Sequence, residues 1–300
     1  MSNDINTRFS NYNKNHCWQY EIRLKNRIQD LLDANLTEED VQNIKIQDIE
    51  FAYVDKSDKI KCTEIVNFIK KHEWLGNMPL RPTHRFTARY KDILIGVIVM
   101  ATPNTFNTKL LGKDNVHLEK LISRGACISW SPKNLASSLL MYSIKYMVKN
   151  THYRIFTAYS DIEAKELGTI YQACNFYYLG KQSGTKKMYR DPNGSGNWFS
   201  DRSFRIRSAY KRYAKKLNIK WEDNWQDSKD RILWNNMPKD IEKSLRQASK
   251  DYAKTCESRE VPTKHKYCYV LGRTKKETNK LKKLFKSNIK VLEYPKNRGE

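Results

Sequence analysis

The run from Tyr153 to Gly180 constrains the fold of this chain more than any other stretch. Its first seven residues are β-forming side chains that alternate between two faces, as in a half-buried strand. The pattern breaks at Ser160 and Asp161. There Ser160 and Glu163 have the spacing of a capping box, and a helical pattern follows as far as residue 174. Because a strand end and a helix start meet at one edge of a sheet, the run predicts half of an α/β site with Asp161 at its corner.

Residues 45–190 continue this alternation of strands and helices. Ile93–Ala101 is a nearly continuous apolar run, as expected of a central strand. We therefore expect an α/β fold with a mixed central sheet flanked by helices. The predicted strands are residues 45–54, 83–90, 93–101, 116–124, 153–159, 176–179 and 186–190. The predicted helices are residues 61–73, 160–174 and one that Ser131 caps and Pro132 opens.

Composition divides the chain into three regions. Residues 1–44 are polar and Asn-rich and are read as an N-terminal extension ahead of a catalytic core at residues 45–190. Residues 191–300 form a basic, aromatic-rich and mostly helical C-terminal region. Its last part, about 265–294, has a strand–helix pattern and could pack on the core.

The positive charge is concentrated towards the C-terminus. The net charge of the chain is +23, and residues 181–300 hold 32 Lys+Arg against 14 Asp+Glu. Aromatic side chains are interleaved with these basic residues, which favours a nucleic-acid surface over a merely solvated basic face or a lysine-rich genome. The residues predicted to contact DNA are Arg202, Arg205, Arg207, Lys211 and Arg212.

Several classes of protein lack their signatures in this sequence. The six cysteines form no CxxC pair and no zinc spacing, so no metal site is predicted. No signal peptide and no apolar run near 18 residues is present, so we expect no membrane partner and a reducing cytoplasm. The motifs GxSxG, HExxH, GxGxxG and the P-loop are missing. Residues 131–134 read SPKN where acyl-CoA enzymes have a Gly-rich loop, which disfavours CoA.

Asp161 and Tyr171 are the side chains of the 153–180 run with a possible chemical role. A carboxylate at a strand end is well placed as a general base or as an acceptor for an amine, and equally as an acid that complements a helix dipole. Tyr171 and Asn175 lie four residues apart on one helix face, where they could stack on a base and hydrogen-bond its edge. The alternative is a buried tyrosine and a helix-ending asparagine.

Two further clusters lie upstream. Ser137 is in the first turns of the predicted helix, where free N–H groups attract anions, so its hydroxyl could bind a donor's phosphate or carbonyl, or simply cap the helix. Arg124 could pair with a phosphate or with Asp161, or be an ordinary surface residue.

Together these clusters resemble the bacteriophage Mom family of DNA-modification proteins. The stretch His72-x-Trp-Leu-Gly76 is similar to the family's N-terminal His–aromatic segment, and KHKYCYVLG near the C-terminus is similar to tails of phage relatives. The other resembling motifs are Leu121…Arg124, Pro132-Lys133-Asn134-x-x-Ser137, Tyr159-Ser160-Asp161, Gly168-Thr-Ile-Tyr-Gln-Ala173, Asn175-Phe176 and Tyr178-x-Gly180.

The resemblance implies a GNAT-like fold and an enzyme that converts adenine in double-stranded DNA to 6-N-carbamoylmethyladenine or a related N6-acyl-type adduct. Such a modification shields phage DNA from restriction in the cytoplasm of the infected host. The donor implied is acetyl-CoA or a glycyl carrier. The catalytic candidates are Asp161, Ser137, Arg124 and Tyr171, and the substrate-binding candidates are Tyr159, Asn175, Asn134, Lys133 and His72.

The expected mechanism has Asp161 accept a proton or hydrogen bond from the N6 amine of a flipped adenine, which Tyr171 or Tyr159 stacks against. The sequence departs from the family pattern at Ser160, where the family has alanine, and at Glu166, where it usually has histidine. Two other functions stay open at this point. One is an N-acyltransferase that acts on protein or small-molecule amines, and the other is a non-catalytic DNA-binding protein.

Overall fold

A computed structural model describes residues 16–79, 81–103, 108–182, 186–194, 196, 198–227 and 231–297. These residues form two compact units, a larger one from residues 16–182 and 263–297 and a smaller one from residues 186–262. The units differ from the sequence-based regions 1–44, 45–190 and 191–300, because residues 16–44 and 263–297 belong to the larger unit.

The larger unit contains seven α-helices, some of them short, and seven strands among its described residues. Its helices are α1 (Trp18–Ala34), α2 (Glu38–Gln42), α3 (Lys59–His72), α4 (Thr108–Leu111), α5 (Leu135–Asn150), α6 (Thr169–Ala173) and, after the smaller unit, α9 (Lys275–Asn288). Its strands are β1 (Ile49–Val54), β2 (Pro82–Tyr90), β3 (Ile93–Ala101), β4 (Glu119–Cys127), β5 (Ile155–Asp161), β6 (Tyr177–Lys181) and β10 (Lys264–Val270).

The seven strands form one mixed sheet in the order β1-β2-β3-β4-β5-β10-β6. Every neighbouring pair is antiparallel except β4 and β5, which are parallel. The predicted α/β class with a mixed sheet flanked by helices is therefore confirmed. Strand β10 lies between β5 and β6, so the C-terminal tail supplies an inner strand of the sheet.

The core lies between this sheet and the helices packed on it. Strand β3 has the bounds predicted from its apolar run, and all of it except Ile93 is buried. On α5 the apolar side chains recur at helical spacing and face the sheet, each contributing about 1.5–3 kcal/mol by burial. They are Leu135, Leu139, Leu140, Ile144, Met147 and Val148.

Helix α5 does not begin where the sequence predicted. Asn134 adopts a left-handed backbone with φ of 65°, so the helix starts at Leu135 rather than at Pro132. The hydroxyl of Ser131 accepts a hydrogen bond from Arg23 instead of capping the helix. The prediction of a cap at Ser131 is therefore wrong, because a contact with distant α1 engages that hydroxyl.

The helix predicted at residues 160–174 is also mostly absent. Strand β5 continues to Asp161, a turn follows, and only the short α6 is helical. Asp161 Oδ1 accepts the backbone N–H of Glu163 at 3.1 Å, which is an Asx turn that competes with helix formation. The capping box predicted for Ser160 and Glu163 does not form, because Ser160 is buried within the strand.

Helix α1 packs on the rest of the larger unit through polar contacts with backbone donors and acceptors of its neighbours. Gln19 Nε2 donates to the carbonyl of His72 at 2.7 Å, and Gln19 Oε1 accepts the N–H of Trp74 at 3.1 Å. The N–H of Trp18 donates to the carbonyl of Ala164 at 3.1 Å. The segment predicted to be an extension thus contacts the loop after α3 and the turn after β5.

The smaller unit has a sheet and a helical pair of its own. Strands β7 (Lys186–Arg190), β8 (Trp198–Ser200) and β9 (Glu257–Val261) form a three-stranded antiparallel sheet with β7 in the middle. Helices α7 (Arg207–Lys216) and α8 (Lys239–Thr255) bury a shared aromatic cluster that includes Tyr210, Tyr213, Trp225 and Leu245. In the part of the chain that the structure describes, no helix is long and apolar enough to span a membrane.

Candidate active site

Strands β4 and β5 pair at their starts and then separate. Their parallel register ends at Ile122 and Ala158, although β4 continues to Cys127 and β5 to Asp161. Backbone N–H and C=O groups need hydrogen-bond partners, so a parted strand edge favours a ligand that carries amides of its own.

A cavity of about 1180 Å³ opens beside these strands in the larger unit. It exceeds the roughly 300–1,000 Å³ of a typical small-molecule site, so it has room for two reactants. Several separate segments contribute its polar lining, among them the start of α1, the loop after α3, β4, the end of β5 with the turn after it, α6, and the start of β10. The lining includes Gln19, Glu73, Arg124, Tyr159, Asp161, Glu166, Tyr171 and Lys264.

Asp161 is the last residue of β5, and its side chain is 14 % exposed. Its Oδ2 lies 2.9 Å from Nζ of Lys264, the residue opposite it on β10. Its Oδ1 accepts the N–H of Glu163. Each oxygen keeps a second lone pair, so the carboxylate can still accept a hydrogen bond from a ligand amine in the cavity.

Glu166 is fixed to Asp161 by two hydrogen bonds. The N–H of Asp161 donates to Oε2 of Glu166 at 3.0 Å, and the N–H of Glu166 donates to the carbonyl of Asp161 at 3.0 Å. Burial raises the pKa of the Glu166 carboxyl to about 7, and the negative charges of Asp161 and Glu73 add to this effect. A carboxyl with such a pKa can both accept and release a proton near neutral pH.

Glu73 and Arg124 face the cavity from the other side. The guanidinium of Arg124 donates to the carbonyl of Asn77 at 2.7 Å and to its side-chain oxygen at 3.0 Å, and its Nε lies 4.0 Å from Oε2 of Glu73. Burial raises the pKa of the Glu73 carboxyl, and the charge of Arg124 opposes this shift. Arg124 therefore orders the loop after α3, whereas Asp161, its suggested partner, is paired with Lys264.

Tyr171 and Tyr159 are the two predicted aromatic residues that line the cavity. The Tyr171 ring contacts those of Phe176 and Tyr267 at centroid distances of 5.3 Å each. Burial raises the pKa of the Tyr159 phenol to about 12 and that of Tyr171 beyond its ordinary value. Both phenols therefore stay neutral and are available as hydrogen-bond donors or as stacking surfaces.

The position of Tyr171 depends on Gly168. Gly168 precedes α6 with φ of 66°, and a Cβ there would lie 2.5 Å from Cε2 of Tyr267. The Tyr267 hydroxyl donates to the carbonyl of Leu167. Only glycine satisfies both the left-handed backbone and this close approach, which explains why the motif begins with this residue.

The other substrate-site candidates lie outside the cavity lining. The Ser137 hydroxyl donates to the carbonyl of Asn134 at 3.0 Å, and Lys133 and Asn134 are exposed at the start of α5. Asn175 is exposed with φ of 56° just after α6, so its left-handed backbone ends that helix. His72 is buried, and burial lowers the pKa of its imidazole to about 4.

The basic candidates Arg202, Arg205, Arg207, Lys211 and Arg212 belong to the smaller unit, at the start and along α7. Arg202, Arg205 and Arg212 are exposed. A second basic segment is in the larger unit, where residues 263–300 hold 12 Lys+Arg against 3 Asp+Glu. Helix α9 within it carries six lysines, of which five are exposed.

Three lining residues were not proposed from the sequence for the site, namely Gln19, Glu73 and Lys264. Glu73 stands inside the resembling stretch after His72, which was a usable signal. Lys264 is the first residue of the KHKYCYVLG stretch, which was a usable signal as well. Gln19 is far from the motifs along the chain, so no local pattern marks it. Among the described residues, no group of three or more His, Cys, Asp or Glu side chains is arranged to hold a metal ion.

The model of the Mom protein family matches residues 56–296. The chain belongs to the Mom protein family. The match includes the cavity residues from Glu73 to Lys264, whereas α1 and its Gln19 precede it. No curated protein sequence matches the chain.

Solved structures of acetyltransferases are similar to this Mom-family chain at a low level. One is an acetyltransferase from Bacillus subtilis in complex with CoA, with 10 % identity, a TM-score of 0.35, and coverage of 74 % of this chain and 99 % of that chain. Another is a GNAT family acetyltransferase from Elizabethkingia anophelis with acetyl-CoA bound, with 10 % identity, a TM-score of 0.32, and coverage of 75 % and 99 %. A putative acetyltransferase, yncA, from Salmonella typhimurium with acetyl-CoA has 13 % identity, a TM-score of 0.33, and coverage of 50 % and 88 %. At these TM-scores the ligands of those proteins are not carried over to this chain.

Proposed function

We propose that this chain is a transferase that modifies the N6 amine of adenine in DNA. The product is 6-N-carbamoylmethyladenine or a related N6-acyl-type adduct, and it protects phage DNA from restriction in the host cytoplasm. The observation that carries the proposal is the cavity of a Mom-family chain in which Asp161, Tyr159 and Tyr171 meet beside the parted strands. The carboxylate can accept a hydrogen bond from the amine of a flipped base, and an aromatic ring can stack on that base.

The adenine amine is a weak nucleophile because its lone pair is delocalised into the ring. A carboxylate that accepts a hydrogen bond from the amine localises charge on N6 and orients its attack. Asp161 meets this need, because Lys264 and the N–H of Glu163 hold its two oxygens in place. A base in duplex DNA must leave the stack to enter a cavity, and an aromatic ring such as that of Tyr171 offsets part of the lost stacking.

The donor is an acyl or glycyl compound with an activated carbonyl, either acetyl-CoA or a glycyl carrier. The parted edge of β4 and β5 suits amide groups of such a donor, and the cavity has volume for it beside a base. Arg124, which lines the cavity, is the candidate to stabilise negative charge that develops on the donor carbonyl, whereas Ser137 lies outside the lining and its hydroxyl donates to the carbonyl of Asn134. A glycyl donor gives an N6-glycyl adduct, which is isomeric with the carbamoylmethyl adduct and reaches it by rearrangement, whereas an acetyl donor gives an N6-acetyl adduct.

DNA is held through phosphate contacts that lysine and arginine side chains provide. The exposed lysines of α9 are in the same compact unit as the cavity, and the candidates around α7 are in the smaller unit. Phosphate contacts of this kind position the duplex without reading its sequence.

The test is mass spectrometry of nucleosides from the DNA of bacteria that express the protein. We expect a new adenine nucleoside with the wild-type chain, and none with Asp161→Ala. Purified Asp161→Ala should still bind double-stranded DNA, since Asp161 does not contact phosphate. Asp114→Ala, which removes an exposed carboxylate outside the cavity, is the matched control and should modify DNA normally.

Two other results would replace this function. Acylated protein or polyamine with unmodified adenine would indicate an N-acyltransferase of other amines. Salt-dependent DNA binding, with no product from any cell and no effect of Asp161→Ala on protection from restriction, would indicate a non-catalytic DNA-binding protein.

A further inference from the structure

Glu166 lines the cavity, and the mechanism expected from the sequence gives its carboxylate no role. It stands where the family pattern usually has histidine. We propose that Glu166 accepts the proton that the adenine amine loses, while Asp161 orients the amine. This inference rests on the function proposed above. It assigns the two tasks of the acid–base chemistry to two different carboxylates.

The geometry fixes Glu166 beside Asp161 and leaves one oxygen for a ligand. The turn after β5 is closed by the paired hydrogen bonds between these two residues, so the carboxylate cannot swing away without breaking the bond from the Asp161 N–H to Oε2. No hydrogen bond to Oε1 is found among the residues that the structure describes. Glu166 lines the cavity, so Oε1 is the acceptor that a bound amine can reach.

Four charged or titratable neighbours from different elements face Glu166. The carboxylates of Asp161 on β5 and Glu73 after α3 disfavour a further negative charge there, and the ammonium of Lys264 on β10 partly offsets them. The phenol of Tyr171 on α6 is partly buried and stays neutral. Burial is the largest effect and, with the two carboxylates, raises the pKa of Glu166 to about 7, against the lowering effects of the Asp161 N–H and of Lys264.

Asp161 has different contacts. An ammonium lies 2.9 Å from one of its oxygens, and an N–H donor holds the other. These contacts fix the orientation of the carboxylate, so it suits the task of orienting the amine. Two neighbouring carboxylates with different environments can take different parts in acid–base catalysis.

The proposed step balances without a redox partner. N6 forms a bond to the electrophilic carbon of an activated acyl donor, a thioester or ester. The bond from that carbon to the leaving sulfur or oxygen breaks, and its electron pair goes to the leaving group. N6 loses one proton to Oε1 of Glu166, and Glu166 passes that proton to the leaving group.

Glu166→Gln separates this role from a structural one. The glutamine side-chain oxygen still accepts the N–H of Asp161, so the turn keeps its hydrogen bond, but the side chain cannot take a proton. We expect the modified fraction of adenine in cells to fall by about 10²–10⁴-fold, the usual contribution of a general base, with DNA binding and thermal unfolding unchanged. Glu166→His supplies another base and should restore part of the activity. Glu39→Gln, an exposed change on α2, is the control and should modify DNA normally.

A direct readout is ¹³C NMR of protein labelled at the glutamate carboxyl carbons. We expect one glutamate that titrates near pH 7, absent from Glu166→Gln, and shifted to lower pH in Asp161→Asn because a neighbouring negative charge is removed.

The possible failures of the two ideas are distinguishable. Wild-type levels of modified adenine with Glu166→Gln would overturn the role of Glu166 while leaving DNA modification intact, and so would the absence of a glutamate that titrates near pH 7. No modified adenine with the wild-type chain would overturn the proposed function and this inference with it, whatever the NMR titration shows. If neither Glu166→Gln nor Glu166→His modifies adenine, although both fold and bind DNA normally, the carboxylate does not act by transferring a proton, and the proposed role is overturned.

Discussion

Lys120 is a buried cation with no acidic partner among the described residues. Its side chain is 1 % exposed, and its Nζ lies 4.4 Å from the centroid of the Tyr153 ring and 3.5 Å from the Tyr153 hydroxyl. Burial lowers the pKa of this lysine from 10.5 to about 8. The fold therefore carries a charge that it solvates poorly, and replacing that charge should stabilise the protein.

The magnitude follows from the shift in pKa. Each unit corresponds to about 1.4 kcal/mol, so keeping Lys120 charged costs the folded state up to about 3 kcal/mol at pH 7, before the cation–π contact is subtracted. The lowered pKa means that the unfolded chain binds more protons between about pH 8 and 10.5. The cost is therefore fully present below pH 8 and disappears as the pH rises through this window.

Lys120→Met tests this reasoning, because methionine retains the length of the stem without the charge. We expect the variant to be about 2–3 kcal/mol more stable than the wild type at pH 7, and the difference to shrink by that amount at pH 10.5. The measurement is denaturant unfolding of both proteins at the two pH values, with the exposed Lys149→Met on α5 as control. His84 gives a second readout, since the charge of Lys120 helps to lower the pKa of its imidazole to about 4, and that pKa should rise in the variant.

A stability difference between Lys120→Met and the wild type that is the same at pH 7 and pH 10.5 would refute the argument. It would mean that Lys120 has the same pKa in the folded and the unfolded protein, because its ammonium is solvated as well in the fold as in the unfolded chain.

Two further predictions concern the motif glycine and the basic helix. Gly168→Ala should destabilise the larger unit by about 2–5 kcal/mol in a thermal unfolding assay, because a left-handed alanine is strained and its Cβ overlaps the Tyr267 ring. Gly112→Ala is the control. Gly112 has φ of 84° and no atom lies within 4 Å of the new Cβ, so this variant shows the effect of backbone strain alone. The lysines at 276, 280 and 283 lie on one face of α9. Changing all three to glutamine should reduce by about 2–3 the steepness with which the logarithm of the association constant for duplex DNA falls with the logarithm of the salt concentration. The same change at the exposed Lys25, Lys70 and Lys149 should leave this slope unaltered. An equal slope for both triple variants would show that α9 does not contact phosphates.

Local pattern predicted much of the sheet and its main helix. The apolar run of β3 and the helical spacing on α5 are strong periodic signals, and both elements form as expected apart from the start of α5. The helix predicted after Ser160 is mostly absent, and the reason is also local. The side chain of Asp161 engages its own backbone in a turn, and a capping-box pattern cannot show which of two nearby polar side chains will do so.

The sequence by itself located the motif residues on which the proposed function depends, namely Asp161, Tyr171 and the glycine before α6, because these lie within one short run. It also determined the family, since spacing between motifs is a property of the chain. Tertiary structure alone decided what surrounds Asp161. Lys264 pairs with it only because β10 returns to lie beside β5, and Glu73 approaches Glu166 only because the loop after α3 faces the same cavity. Contacts between distant segments depend on strand pairing and packing, which no local period encodes, and those contacts position Asp161 and contribute to the raised pKa of Glu166.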